Sequence, residues 1–221
     1  MGVWARADVT EAFAALLAER GETAIGWKIG MASASGMARA GIDAPLVGCL
    51  LADARLESGA TVDVSDWLGP KLEPEIAVWL GADVPAGATS EQASAAISQI
   101  SLAFELVDLP GPVDDAIAAF KVNVFQRGVL FGERVPVTIP PPVTVLLNGK
   151  VHAEIADPTT ATAPYGELVQ HVADVLGSAG RTLRAGEVII TGMLTPPIPL
   201  SPGSYAMRAT GLPEISFYVA G

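Results

Sequence analysis

Glu73 and Glu75 stand one residue apart in Leu72-Glu73-Pro74-Glu75-Ile76, and the run continues as Ala77-Val78-Trp79-Leu80. The stretch reads as a buried strand, in which side chains alternate with period two, so both carboxylates face the same side. Two like charges beside a core repel each other and lose hydration, a cost that a cation between them removes. The pair is therefore expected to supply two oxygen ligands to a divalent metal. Glu105 is the candidate third ligand. Ile100, Leu102, Phe104 and Leu106 alternate with Ser101, Ala103, Glu105 and Val107, which gives a strand with one apolar face and Glu105 among small residues on the other. Without the Glu73/Glu75 pair, Glu105 reads as an ordinary half-exposed strand residue.

Three carboxylates with open positions suit a hard cation, Mg2+ or Mn2+, better than zinc, which prefers nitrogen and sulfur. Such a metal chelates a 2-oxo acid through its carboxylate and keto oxygens. It then stabilises the enolate formed when a bond to C3 is made or broken. Lys28 is a lone lysine in the glycine-bounded apolar run Ala24–Gly30. It is either a solvated strand end or the group that binds the substrate carboxylate and moves a proton. His152 follows a hairpin turn and His171 sits mid-helix, and both read as surface histidines. Cys49, the single cysteine, lies in an apolar strand and reads as a small buried hydrophobe. No GxSxG elbow, Walker loop, dinucleotide fingerprint or CxxC is present.

The surrounding chain must fold around these groups. At 221 residues it is long enough for one domain with a large core. Half of the residues are hydrophobic and 17% are charged, which argues against disorder and for some surface hidden in a homo-oligomer. A formal net charge of −11 lacks the basic footprint of a nucleic-acid binder. A single cysteine fits a reducing cytoplasm. The N-terminus has no secretory h-region, and no apolar run reaches about 18 residues, so no membrane span is expected.

The expected elements run as follows. Asp8-Val9-Thr10-Glu11 reads as a capping box for a first helix that buries Phe13, Leu16 and Leu17 and stops at Gly21. Gly41–Gly48 reads as a turn leading to a strand through Leu51, and Leu56–Val62 as a hairpin-like pattern. Ser90 opens a second helix to about Ser98. Pro136–Pro142 marks a sheet-edge connection, and Asn148-Gly149 a type I′ hairpin turn. Pro164–Ala179 is an amphipathic helix, Leu183–Thr191 a turn and strand, and Tyr205–Val219 a last pair of strands. The sum is one α+β domain over residues 1–221, rich in short strands, with three helices.

Gly26-Trp27-Lys28-Ile29-Gly30, Leu72-Glu73-Pro74-Glu75-Ile76, Glu105-Leu106-Val107-Asp108 and Leu183-x-x-Gly186-x-x-Ile189-x-Thr191-Gly192 occur in that order. By these motifs the chain, from about Ile25 to Val219, resembles the fumarylacetoacetate hydrolase superfamily, in particular its branch of 2-oxopent-4-enoate hydratases and 4-oxalocrotonate decarboxylases. The resemblance implies a mixed β-sheet roll or sandwich with a few flanking helices. It implies Mg2+ or Mn2+ on Glu73, Glu75 and Glu105, with Lys28 contacting a small 2-oxo acid. It further implies that the backbone at Leu72, Asn123 and the Thr191 region line the pocket. The implied reaction is hydration of 2-hydroxypenta-2,4-dienoate in aromatic degradation. Alternatives are decarboxylation of a 2-oxo-hexenedioate, hydrolysis of an acylpyruvate, or a non-catalytic metal-binding partner subunit.

Three departures stand out. Leu46 follows Pro45 where the family carries an acidic residue, with Asp43 nearby as a substitute. The family's Asp-Asn-x-Ser stretch is Val122-Asn123-Val124-Phe125 here, with Lys121 as a compensating polar group. Residues 1–23 offer one short helix, less than the family's N-terminal helical region.

Overall fold

The computed structural model describes residues 3–136 and 141–221. In chain order its strands are β1 (Ala24–Gly30), β2 (Leu46–Leu51), β3 (Arg55–Leu56), β4 (Thr61–Val62), β5 (Pro70–Leu80), β6 (Ile97–Asp108) and β7 (Gln126–Phe131). They continue as β8 (Val135–Pro136), β9 (Val143–Leu147), β10 (Lys150–Ile155), β11 (Val188–Ile190), β12 (Ile198–Pro199), β13 (Gly203–Ala209) and β14 (Leu212–Val219). The helices are α1 (Ala7–Arg20), α2 (Ala34–Ala40), α3 (Ser90–Ala95), α4 (Ala116–Lys121), α5 (Pro158–Ala161) and α6 (Tyr165–Ser178).

A nine-stranded mixed sheet runs β2-β1-β11-β5-β6-β7-β3, with β12 beside β5 and β8 beside β6. Its edge strands β2 and β3 are joined through only Ala52–Ala54. Edges that close in sequence must be close in space, so the sheet curls into a roll. Alternation then sorts side chains between the two faces. Ala77 and Trp79 of β5, Ala103 of β6, Val129 and Phe131 of β7, Val188 and Ile190 of β11 and Leu50 of β2 fill the inside. Ile76, Val78, Ile100, Leu102, Phe104 and Leu106 face outward into the larger core.

Two layers cover that outer face. One is a five-stranded sheet, β10-β9-β13-β14-β4, which packs Phe217 edge-on against Phe104 at 5.5 Å between ring centres. The other is helical: α6 buries Leu168, Val172, Val175 and Leu176, as the apolar period predicts, and α1 buries Val9, Phe13 and Leu16. Trp4, Phe13 and Phe120 form an aromatic cluster that fastens α1 to α4. Gly26 lets β1 lie against β11, because a Cβ there would stand 2.2 Å from the Val188 carbonyl oxygen.

Several expectations change. The Asp8 capping box does not form: Arg6 is the N-cap residue, and Asp8 pairs with the Arg6 guanidinium at 2.7 Å. The capping box that exists belongs to α3, between Thr89 and Gln92, and that helix stops at Ala95 instead of reaching Ser98. The small-residue stretch after β1 folds as helix α2 (Ala34–Ala40), because the Ser33 side chain accepts from Gly36 N–H and Gly41 closes the end in the left-handed region. Leu56–Val62 is not a hairpin, since β3 pairs with β7 and β4 with β14, in different sheets. The Asn148-Gly149 hairpin forms as expected, with φ of 50° and 73°. The connection expected over Pro136–Pro142 lies largely outside the described residues.

Candidate metal centre and active site

The central strands β5 and β6 run antiparallel, with Glu73 opposite Glu105 and Glu75 opposite Ala103. Glu75 and Glu73 therefore lie on the inside of the roll with Glu105, at one end of its apolar filling. One carboxylate oxygen from each of the three glutamates lies within 4.8 Å of the others. Glu75 and Glu105 are fully buried and Glu73 is half-buried. Like charges opposite each other across a ladder destabilise a sheet, so the arrangement needs a compensating cation.

Part of that charge comes from Lys28, which is 2% exposed and reaches across the inside of the roll from β1 to β6. Its ammonium bonds the Glu105 carboxylate and donates to the Val124 carbonyl at 2.9 Å. One lysine against three carboxylates leaves the site short of positive charge. Glu75 Oε2 accepts from Gly192 N–H at 2.7 Å, but Glu75 Oε1 and Glu105 Oε2 are buried with no hydrogen-bond partner among the described residues. Buried, unpartnered carboxylate oxygens aimed at one point are the donor set of a hard divalent cation, so the residues present fit Mg2+ or Mn2+.

Burial, reinforced by the neighbouring carboxylates Glu105 and Glu73, pushes the Glu75 carboxyl well above its usual range. Burial likewise pushes Glu105 up to about 7, Lys28 opposing the shift and Glu73 adding to it. Glu73 is raised by burial against the pull of Lys28 and Lys71. Raised carboxyls hold protons in the folded chain that the unfolded chain has already released. The metal-free protein is therefore expected to lose stability as pH rises from the ordinary carboxylate range through about 7, where Glu105 releases its proton. A metal displaces those protons, so its stabilisation grows over the same window. Thermal melts with and without Mg2+ at about pH 5.5 and about pH 7.5 test this, with the larger metal-induced rise in Tm expected at the higher pH. Equal rises would remove the buried carboxylates from the metal site.

The lysine is held by a strained turn. Asn123, Val124 and Phe125, between α4 and β7, all have positive φ, of 50°, 51° and 69°. Non-glycine residues adopt this region at a cost of roughly 1 to 3 kcal/mol each. The clamp is Asn123, 1% exposed: its Oδ1 accepts from Cys49 N–H at 2.8 Å and its Nδ2 donates to the Cys49 carbonyl at 2.8 Å and to Gln126 Oε1 at 3.3 Å. The turn aims the Val124 carbonyl at Lys28. Asn123→Ala leaves both Cys49 main-chain groups without partners. It is expected to lower stability by roughly 2 to 4 kcal/mol, with a fall in turnover, read from urea denaturation and steady-state rates.

A cavity of about 220 Å³ opens on the cluster. Lys28 and Glu73 line it, together with Met31, Ser33, Arg39, Val113, Phe125 and Met193. Leu72, Asn123 and Thr191 are not among the residues that line this cavity, though their neighbours Glu73, Val124 and Met193 are. Leu72 is a fully buried core residue opposite Leu106. Thr191 N–H and Oγ1 both donate to the Ile76 carbonyl, at 3.0 and 3.1 Å, and so latch the chain to β5 beside Gly192. Asn123 has its amide committed to main chain and Gln126. Asn123 anchors the turn whose Val124 carbonyl meets Lys28, and Thr191 anchors the chain beside the Gly192 N–H that meets Glu75. Asp43 does not stand in for the acid missing at Leu46: it accepts from Ala5 N–H at 3.2 Å, at the surface. Leu46 is buried in the core and Lys121 is exposed at the end of α4. His171, whose ionisation burial disfavours, contacts the Pro45 carbonyl at 3.0 Å. Sequence reasoning missed Arg39 and the Val124 carbonyl. The first was one arginine in a small-residue stretch, and the second is a main-chain group with no residue signature.

The family model for the fumarylacetoacetate (FAA) hydrolase C-terminal domain matches residues 28–219. A 4-oxalocrotonate decarboxylase from a Pseudomonas species is 26% identical over 215 residues, which cover 92% of this chain and 81% of that protein. A 2-keto-4-pentenoate hydratase from Burkholderia vietnamiensis is 29% identical over 211 residues, covering 88% of this chain and 78% of that protein. Among solved structures, a Pseudomonas putida 4-oxalocrotonate decarboxylase complexed with magnesium and adipate superposes with a TM-score of 0.78 at 26% identity, covering 89% of this chain and 78% of that one.

Proposed function

The chain belongs to the fumarylacetoacetate hydrolase family, and from that premise we propose that it is a divalent-metal-dependent lyase acting on a small 2-oxo acid or its dienol. The observation that carries the reading is the buried Glu73, Glu75 and Glu105 cluster with Lys28, opening on one cavity. Bound on those three glutamates, Mg2+ or Mn2+ would polarise the 2-oxo acid and stabilise its enolate.

The chain's own groups do the rest. The Lys28 ammonium has three N–H donors, of which Glu105 and Val124 take two. The third is left for an oxygen of the substrate, and the same group can pass a proton. Val107, Leu109, Pro112, Phe125 and Met193 form an apolar wall that keeps water from a reactive dienol. No histidine or cysteine lines the cavity among the described residues, which supports enolate chemistry over a covalent acyl-enzyme route.

Hydration of 2-hydroxypenta-2,4-dienoate is the first reading. Decarboxylation of a 2-oxo-hexenedioate is the second, favoured by the cationic side chain of Arg39 in the cavity wall. We read residues 1–221 as one catalytic domain of a cytoplasmic homo-oligomer. No helix among the described residues is long and apolar enough to cross a membrane. The test is an assay of purified protein with Mg2+ on 2-hydroxypenta-2,4-dienoate, 2-oxo-hexenedioate and acylpyruvates. Turnover of one of the first two, lost in EDTA, is expected. No turnover on any, with tight binding to a second protein, would make the chain a non-catalytic partner subunit.

A further inference from the structure

The far end of the roll carries the opposite charge. Trp79 lies inside the roll six residues beyond Glu73 on β5, and so about 20 Å from the glutamate cluster. At that end Arg55, Trp79, Arg134 and Glu187 line a cavity of about 630 Å³, which shares no lining residue with the cavity at the glutamates. The indole is a fixed platform: its Nε1 donates to Ser101 Oγ at 3.1 Å, and Phe131 packs edge-on to it at 5.1 Å between ring centres. The guanidinium carbon of Arg134 stands 3.4 Å from the centre of the indole. At that separation the two planes stack, so the N–H groups of Arg134 point sideways, away from the ring. Arg55 comes to the same end from β3. It pairs with Val129, which faces the inside of the roll, and paired residues share a face.

These two cations have little to neutralise them. Glu187 is the carboxylate of the cavity wall, and both of its oxygens are taken, Oε1 by Arg181 at 3.2 Å and Oε2 by Arg184 N–H at 2.8 Å. Arg134 has no ion pair among the described residues, and the remaining residues include no Asp or Glu. Arg55 has Glu57 at 3.6 Å, an exposed pair of small worth in water. Burial, and then the neighbouring Arg55 charge, pull Arg134 below its usual range. The chain has 24 Asp and Glu against 13 Lys and Arg, yet here two arginines share a wall with no free carboxylate.

We infer that this end of the roll is a second binding site, for a small oxyanion of two negative charges held between Arg55 and Arg134. Guanidinium forks match the paired oxygens of phosphate and carboxylate groups, and two forks match two charges. Phosphate, a phosphate monoester and a short dicarboxylate share that chemistry. Arg134 already covers the face of Trp79, which leaves no stacking surface there for a nucleotide base. The inference is independent of the reaction at the metal centre.

The test is calorimetric titration of inorganic phosphate and of succinate into the full chain, in mildly alkaline buffer where phosphate carries two charges. The protein is first freed of metal on a chelating resin, which keeps either anion from binding through an ion at the glutamates. Acetate at equal ionic strength is the single-charge control. Saturable binding of at least one dianion is expected, about tenfold tighter than acetate or better, the effect of one more charge-assisted contact. Tight binding of phosphate alone assigns a phosphate or its monoester, and of succinate alone a dicarboxylate. Arg55→Gln and Arg134→Gln should each weaken the dianion about tenfold. Arg134→Lys should recover part of that loss, because it keeps the charge without the fork. Arg39→Gln, in the other cavity, should change nothing. No saturable binding of either dianion would overturn the inference, as would an Arg55→Gln/Arg134→Gln double variant that binds like the parent. Absence of binding together with dissociation of an assembly in Arg134→Gln would overturn it too, and would assign the arginines to a contact between copies of the chain.

Discussion

Glu75→Gln is expected to destroy metal binding and activity while making the metal-free fold more stable than the parent. Glu75 is wholly buried, its carboxyl is raised by burial and by two neighbouring carboxylates, and its Oε1 has no partner among the described residues. In the metal-free protein at neutral pH that carboxyl must either carry a poorly compensated buried charge or hold a proton that the unfolded chain has released, and both cost stability. A glutamine removes the ionisable group, keeps an oxygen for Gly192 N–H, and brings amide N–H groups to a site where Glu105 Oε2 lacks a donor. The gain in EDTA is expected to be about 1 kcal/mol at neutral pH, read from urea denaturation. With Mg2+ present the order reverses, because the parent gains binding energy that the variant has lost. Loss of a ligand to the ion that stabilises the enolate removes several kcal/mol of transition-state stabilisation, so kcat/KM should fall by roughly 10³-fold or more. Unchanged Mg2+ affinity by calorimetry would show that the cluster is not the metal site.

Lys28→Met separates the same two properties in the opposite sense. It should retain or improve Mg2+ binding, since it deletes a cation that competes for Glu105, yet lose turnover by roughly 10²- to 10⁴-fold, the range for a positioned proton-transfer group. Methionine keeps most of the stem that lies inside the roll, so packing is nearly conserved. What it removes is one half of a buried ion pair and a donor to Val124. Breaking such a pair costs roughly 3 to 5 kcal/mol when the remaining charge must stay ionised. Glu105 can take up a proton instead, since its carboxyl is already raised to about 7, so the loss should be small in mild acid and grow with pH. A variant with normal turnover would show that Lys28 only neutralises Glu105.

Gly48 explains why the lysine has so little freedom. A Cβ at that position would lie 3.0 Å from Lys28 Cγ and 3.3 Å from Asn123 Oδ1. The stem of Lys28, the amide of Asn123 and strand β2 therefore share one close-packed corner. The turn at 123–125 stores backbone strain there, and the Cys49 main chain holds it in place.

The sequence by itself determined which residues hold charge in the core. The Glu-x-Glu spacing on a strand and the lone Glu105 on a small-residue face follow from period-two alternation, a local rule that needs no partner strand. It also determined most strands, the Asn148-Gly149 hairpin and the buried face of α6, because turn chemistry and apolar periodicity are short-range signals. The tertiary structure decided register and closure. Glu73 faces Glu105 because β5 and β6 pair with that register, and Lys28 reaches them because β2 and β3 close the sheet into a roll. Neither relation is written in spacing along the chain. The same holds for the partners of Leu72, Asn123 and Thr191: core packing buries the first side chain, and hydrogen bonds to the Cys49 and Ile76 main chain hold the other two. The Val124 carbonyl and the Gly192 N–H carry no side-chain signature, and Arg39 gains meaning only from the cavity it shares with Lys28. The physical reason is that charge and periodicity are properties of residues, whereas a binding site is a property of distances between segments that the chain brings together only when it folds.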